Sequence, residues 1–189
     1  MNTNDTLSEQ LDRLGARLRA GTEAEHVLIP EKAPFPNNDR LPALIYRQVV
    51  TLPDLDPAAV FEAIFRAHGW QGTWRNGIYG FHHYHSTAHE VLGVYQGHAT
   101  VQLGGDQGIT TQLTAGDVVV IPAGVAHKNL GSSVDFGVVG AYPSDQRWDM
   151  NYGRPDERPE ADKNIAKVPT PSADPLYGDQ GPLIEAWKP

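Results

Sequence analysis

From residue 77 onward the chain is a series of short segments separated by glycine turns, and this punctuation limits the fold more than any other feature. The segments are 81–86, 90–96, 98–103, 109–113, 117–121, 126–129 and 134–141, and most are rich in Val, Ile, Thr, Tyr or Phe. They recur at roughly 8–10 residues, the spacing of strands in an all-β sandwich or barrel. GGDQG at 104–108 reads as a hairpin connection. A helix cannot run through the first of these segments. Gly77, Gly80, Gly93 and Gly97 would interrupt it, and Tyr, Thr and Val favour strand.

The flanks read differently. Leu7, Leu11, Leu14 and Leu18 recur at helical spacing, so residues 5–20 are expected to form an amphipathic helix, capped by Asp5 or Thr6 and ending before Gly21. Residues 27–53 hold short apolar runs, Val27 to Ile29 and Leu41 to Tyr46, broken by prolines, as in extended segments and edge strands. A second helix is expected with Asp56 as N-cap, Pro57 in its first turn, Val60, Phe61, Ile64 and Phe65 on one face, and Gly69 past its end. After residue 143 the chain turns polar and proline-rich, a composition that speaks against a packed unit. Leu176, Tyr177, Leu183, Ile184 and Trp187 then supply apolar anchors, so 144–189 is expected to be an extended arm on the body or on a partner subunit. The expected division is a lead-in at 1–39, a barrel at 40–143 and this arm.

Composition removes several functions. The chain of 189 residues has no cysteine, so disulfides, thiolate metal sites and cysteine nucleophiles are excluded. Its formal charge is −8 with no Lys/Arg-rich run, which disfavours nucleic acid as a partner. No stretch has the ~18 apolar residues that a membrane span requires. The polar, acidic N-terminus has no basic segment followed by an apolar one, so a cytoplasmic protein is expected. G-x-S-x-G, Walker A and G-x-G-x-x-G stretches are absent.

Residues 81–90, FHHYHSTAHE, concentrate four histidines and a glutamate. His89 and Glu90 do not begin a zinc-protease helix, because that motif needs histidine where Gly93 stands. On a strand, His83 and His85 share one face while His82 and Tyr84 share the other. After the turn at 86–89, Glu90 enters a return strand from which its carboxylate can meet the pair. GDVVVIPAGVAH at 116–127 is a strand, a Pro-Ala-Gly turn and then His127, which the turn brings back toward the interior. Three neutral imidazoles and one carboxylate suit one divalent Mn, Fe, Co, Ni, Cu or Zn ion and disfavour Mg or Ca. As ordinary core residues they would be costly to bury without a cation. His82 is expected to be a surface or hydrogen-bonded histidine, and His89 to support a turn or, in an unusual loop, to swap in as a ligand.

The two stretches resemble the paired motifs of the cupin superfamily. Gly77, His83, Tyr84, His85, Glu90 and Gly97 match motif 1 across 77–97. Gly116, Pro122, Ala123, Gly124 and His127 match motif 2 across 116–127, and 18 residues lie between. The wording around both is similar to single-domain bacterial cupins of the YjlB type. One departure is Gly131, which stands where the family pattern has asparagine; Asn129 lies two residues earlier. The resemblance implies an all-β double-stranded β-helix, or jelly-roll barrel, that encloses a metal and usually forms a homodimer. It does not choose among the superfamily's enzymes, ligand-binding proteins and storage proteins.

The expected function is therefore a metal-dependent enzyme, of oxygenase or isomerase type, acting on a small polar molecule. The alternative is a non-catalytic binding protein whose metal is structural or holds a ligand. Tyr79 and Phe81 share parity with His83 and are expected beside the metal. Arg75, next to Trp74, is a candidate contact for an anionic or flat substrate, or else an arginine stacked at the rim. Asn129 shares parity with His127 and is a candidate ligand contact.

Overall fold

The computed structural model describes residues 6–188; Asp5, one of the two expected caps, lies outside them. In chain order the elements are helix α1 (Leu7–Leu14), strands β1 (Arg17–Leu18), β2 (Glu25–Ile29), β3 (Asn38–Tyr46) and β4 (Val50–Thr51), helix α2 (Pro57–Ala67), strands β5 (Trp70–Asn76), β6 (Glu90–Gln96), β7 (His98–Leu103), β8 (Ile109–Thr114), β9 (Val118–Ile121), β10 (His127–Ser132) and β11 (Gly137–Pro143), then short helices α3 (Glu160–Ile165) and α4 (Pro182–Ala186).

Helix α1 is shorter than its leucine spacing predicts. Thr6 and Glu9 form a capping box, with the Glu9 N–H donating to the Thr6 hydroxyl and the Thr6 N–H to the Glu9 carboxylate. Gly15 takes a left-handed conformation at φ 72° and ends the helix. Leu18 therefore sits on β1, paired with Val50, and still packs on the same core as the other leucines. Helix α2 lies where it was expected, but Asp56 makes no side-chain cap bond. Its carboxylate instead accepts from Arg75.

Six strands form one antiparallel sheet in the order β2-β3-β9-β6-β11-β5, and three form another in the order β10-β7-β8. Alternation along each strand separates two cores. Ile45, Leu92, Val94, Val119 and Ile121 face inward and meet Ala99, Val101, Leu103 and Leu113 of the smaller sheet. Leu44, Tyr46, Val91, Val118, Val120 and Val139 face outward and meet α1, α2 and the C-terminal segment. Strand β9 is covered on both faces, which is why VVVI reads as an unbroken apolar run. Glu90 has the parity of Leu92 and Val94, so the strand that builds the core also aims this carboxylate between the sheets.

Strand β3 is not an edge, although it contains Pro42. It pairs with β2 on one side and, from Leu44 to Tyr46, with β9 on the other. Pro42 lies before the β9 pairing begins, where the β2 register also breaks, so its missing N–H disrupts no ladder bond. The true edges are β2 and β5. Strand β5 went unforeseen because its sequence, WQGTWRN, shows no apolar run. Residues 81–86 are extended but form only isolated bridges, His83 with His127 and Tyr84 with Asn151.

The segment after 143 packs on its own barrel. Leu176, Leu183 and Trp187 are buried with the outward face of the large sheet. Buried Asp174 fastens it. One carboxylate oxygen accepts from the Tyr46 hydroxyl at 2.6 Å and the Leu183 N–H at 3.0 Å, and the other from the N–H groups of Leu176 and Tyr177 at 2.8 and 3.1 Å. Indole N–H groups add two ties, Trp187 to the Pro42 carbonyl and Trp70 to the Ala173 carbonyl. Asp174→Ala strands four donors, three of them buried, and is expected to cost about 3 kcal/mol or more of unfolding free energy. Tyr46→Phe removes one donor and is expected to cost about 1–2 kcal/mol. Denaturant melts of both variants measure the difference; equal losses would mean that the aspartate carries no more than its tyrosine bond.

Candidate metal centre

Four side chains converge between the sheets. His83 and His85 project from the extended segment after β5, Glu90 opens β6, and His127 opens β10. The backbone fixes their approach. His83 and His127 exchange N–H···O bonds of 3.2 and 2.9 Å, and the Gly124 N–H donates to the His85 carbonyl at 2.8 Å. Gly124 itself has φ +92°, and a Cβ there would stand 2.3 Å from the Asn37 carbonyl oxygen, so only glycine fits this turn.

Ligand atoms of His83, His85 and His127 all lie within 4.8 Å of one another, and all three residues are buried. Each ring is held from behind by a carbonyl. His83 Nδ1 contacts the Phe81 oxygen at 3.3 Å, His127 Nδ1 the Val125 oxygen at 3.2 Å, and His85 Nδ1 the Asp149 oxygen. A carbonyl only accepts, so each Nδ1 carries the hydrogen and each Nε2 keeps a lone pair for the interior. Glu90 closes the group, with its Oε2 3.5 Å from His85 Nε2 and 3.2 Å from His127 Nε2. Its Oε1 accepts from the Tyr142 hydroxyl at 2.8 Å, which in turn accepts from the Trp74 indole N–H at 3.2 Å.

Glu90 Oε2 is buried with no hydrogen-bond donor of its own. A carboxylate oxygen facing two imidazole lone pairs needs a cation or a proton between them. Burial opposes ionisation of Glu90, yet the imidazoles of His85 and His127 outweigh it and hold the carboxyl well below its usual range. Burial likewise works against charge on His85, and Glu90 overcomes it and raises that imidazole. Burial, reinforced by the neighbouring His127, pushes His83 down to about 3, which keeps it in the neutral form that a metal ligand requires. The donor set, the aligned Nε2 atoms and the orphaned Oε2 fit a divalent transition ion.

The centre lies at the wall of a cavity of about 390 Å³, also lined by Trp74, Ile78, Tyr79, Leu92, Tyr142, Trp148 and Met150. A larger hollow of about 740 Å³ lies elsewhere, beside Gly21 and Pro182, and contains none of these groups.

Comparison with known proteins identifies the family. The cupin domain family profile matches residues 74–132, which carry all four converging side chains. The chain is also 40% identical over 165 residues to the uncharacterized protein YjlB of Bacillus subtilis (strain 168), covering 87% of this chain and 97% of that one. The chain is a cupin. Among solved structures it is similar to the RmlC epimerase of Legionella pneumophila, at 14% identity and TM-score 0.36 over 64% of this chain and 71% of that one. It is also similar to the vicilin of Solanum melongena, at 24% identity and TM-score 0.34 over 42% of this chain, and spans 24% of that protein's length.

The other expected site residues of this cupin divide. Tyr79 lines the cavity and Phe81 stands behind it; the two rings stack at 4.8 Å, with centroids 5.2 and 5.9 Å from His83. Arg75 lines the cavity, as expected, but its charge is already engaged. Its guanidinium is held by Glu62 at 2.7 and 2.9 Å and by Asp56 at 2.7 Å, on the α2 side. Asn129 is also committed. It bonds the Gly131 N–H and the Ser132 hydroxyl, and so braces the bulge that interrupts β10 between Asn129 and Gly131. His82 faces Asp106 and the Phe35 ring, on the side away from the centre. His89 is buried and accepts from the Ala123 N–H at 2.9 Å, so it supports the turn that precedes His127.

The segment after 143 supplies parts that the sequence did not signal. Trp148 and Met150 wall the cavity. Asp149 lies between them and ties this segment to the histidine loop. Its carbonyl orients His85. Its carboxylate accepts from the N–H groups of Ser86 and Thr87, the Ser86 hydroxyl and the Asn151 amide. The only available signal was an aspartate between a tryptophan and a methionine in a stretch that otherwise read as unpacked. His83→Ala and His127→Ala are expected to abolish stable metal retention, and His82→Ala to leave it unchanged. Asp149→Ala frees the loop and is expected to weaken retention about tenfold or more. Competition titration with a chromogenic chelator reads all four; loss in His82→Ala but not in His83→Ala would reverse the assignment of faces.

Proposed function

We propose that this cupin binds one divalent transition metal per chain through His83, His85, Glu90 and His127, and acts as a metal-dependent enzyme of oxygenase or isomerase type on a small polar molecule. The buried Glu90 Oε2, set against two imidazole nitrogens without a donor, is the observation that carries the reading. A metal bound there supplies Lewis acidity toward a substrate oxygen, or dioxygen chemistry where the ion is redox-active.

The chain's own residues support an enzyme of this type. The relay from Trp74 through Tyr142 holds Glu90 in one orientation. Trp74, Tyr79, Tyr142 and Trp148 give the cavity an aromatic wall beside the histidines, which leaves few polar groups to compete for a bound substrate. Among the described residues that line the cavity there is no Ser, Thr, Cys or Lys. A covalent nucleophile of the hydrolase kind is therefore missing, and oxidation or isomerisation at a carbonyl or hydroxyl carbon suits the chamber better.

Purified protein is expected to hold close to one transition metal per chain, by elemental analysis after loading in turn with Mn, Fe, Co, Ni, Cu and Zn. Metal-loaded protein is expected to turn over a member of a panel of hydroxy and carbonyl compounds, followed by oxygen uptake and by mass spectrometry, while His127→Ala does not. Failure to hold any of these ions would overturn the reading. Saturable binding with no turnover would leave a non-catalytic ligand-binding cupin.

A further inference from the structure

The cavity's walls and its charge together specify what can enter. Two stacked aromatic pairs flank the histidines. Tyr142 and Trp148 stack at 5.8 Å and 22°, and both present an edge to His85, at 5.6 and 5.7 Å. Tyr79 and Phe81 stack at 4.8 Å and 15° beside His83. Trp74 lies so close over Gly140 that a Cβ there would stand 2.2 Å from its indole. The hydrogen-bonding atoms of Trp74 and Tyr142 are spent on the chain to Glu90. These two residues therefore offer ring surface to a ligand, and flat ring surface is matched best by another ring.

Size agrees. An apolar cavity of ~150 Å³ already takes a benzene ring, so about 390 Å³ leaves room for one or two rings.

The charge balance narrows the class further. A divalent ion held by three neutral imidazoles and one carboxylate keeps a single net positive charge. One anionic oxygen neutralises it, and a second charge would be buried without a partner. Arg75 is the only cationic side chain among the described residues lining the cavity, and Glu62 and Asp56 already neutralise it. A phosphate dianion therefore finds no anchor.

Resting on the metal-site reading above, we infer that the cavity selects a planar, ring-bearing molecule that binds through one deprotonated oxygen, a phenol or enol, in preference to acyclic hydroxy acids and to phosphate esters. On binding, the ligand O–H breaks heterolytically. The oxygen keeps the electron pair and the proton passes to the solvent. Trp148 and Tyr79, 52% and 49% exposed, are the specificity-determining residues, because each lines the cavity beside a histidine and keeps about half its surface open.

Calorimetric titration of the full chain loaded with zinc, which has no redox chemistry of its own, tests this with three probes. Catechol has the ring and yields one anionic oxygen. Glycolate has the anionic oxygen without the ring. Phenyl phosphate has the ring with a dianion. Catechol is expected to bind at least about tenfold more tightly than either of the others. Trp148→Ala and Tyr79→Ala are each expected to weaken catechol about five- to tenfold, the loss of one ring contact, while zinc and glycolate affinities stay within twofold. Zinc uptake with glycolate or phenyl phosphate matching catechol would overturn this inference and leave the metal site standing. So would unchanged catechol affinity in both variants. Absence of zinc uptake would instead overturn the metal site itself.

Discussion

A carboxylate oxygen buried without a donor, 3.2 and 3.5 Å from two imidazole nitrogens, is the interaction on which the rest of the site depends. The arrangement is costly unless positive charge occupies the gap. The neighbouring structure keeps that gap from collapsing. Carbonyl oxygens behind each ring prevent the imidazoles from turning toward a neighbour, and the Tyr142 hydroxyl holds the far oxygen of Glu90 in place. Any one ring left free could rotate and satisfy the carboxylate itself.

These constraints come from three separate stretches of chain, and each is held by different physics. Glu90 is placed by strand alternation, since Leu92 and Val94 on the same face cannot leave the core. His127 is placed by a turn whose Gly124 admits no side chain and whose Ala123 N–H is bound to His89. His83 and His85 have no continuous strand to define them. Isolated bridges to His127 and Asn151, together with the Asp149 carboxylate, do that work instead. The loop that carries two of the converging histidines is thus ordered mainly by elements distant in sequence.

This explains how much was legible in advance. Strands β6 to β9 and β11 followed from local pattern, because alternation and glycine turns are short-range signals. The parity of 82–85 was legible for the same reason, even though the segment is not a regular strand. Helix α1 was overextended because Leu18 keeps helical spacing while Gly15, the actual stop, was passed over. The partners of Arg75 and Asn129, which are Glu62, Asp56 and a bulge in β10, are not visible from their own neighbourhoods. The segment after 143 was legible only by its apolar anchors. Its prolines and charges resemble an unstructured tail, and only the fold shows that Trp148, Asp149 and Met150 return to the cavity.

That return has a consequence for how stability and the site are linked. Tyr46, which anchors Asp174, lies on β3 in the outer face of the large sheet, whereas Asp149 acts on the inner side, at the histidine loop. One strap therefore joins the outer core to the candidate metal centre. Beyond its tie at Asp174 it packs Trp187 against the ring of His89, the residue that steadies the turn before His127, at 4.7 Å. The strap thus bears on His85 through Asp149 and on the turn before His127 through His89. A segment that looks peripheral by composition packs against the candidate centre, and its polar sequence reflects a path that runs mostly over the surface between its few buried anchors.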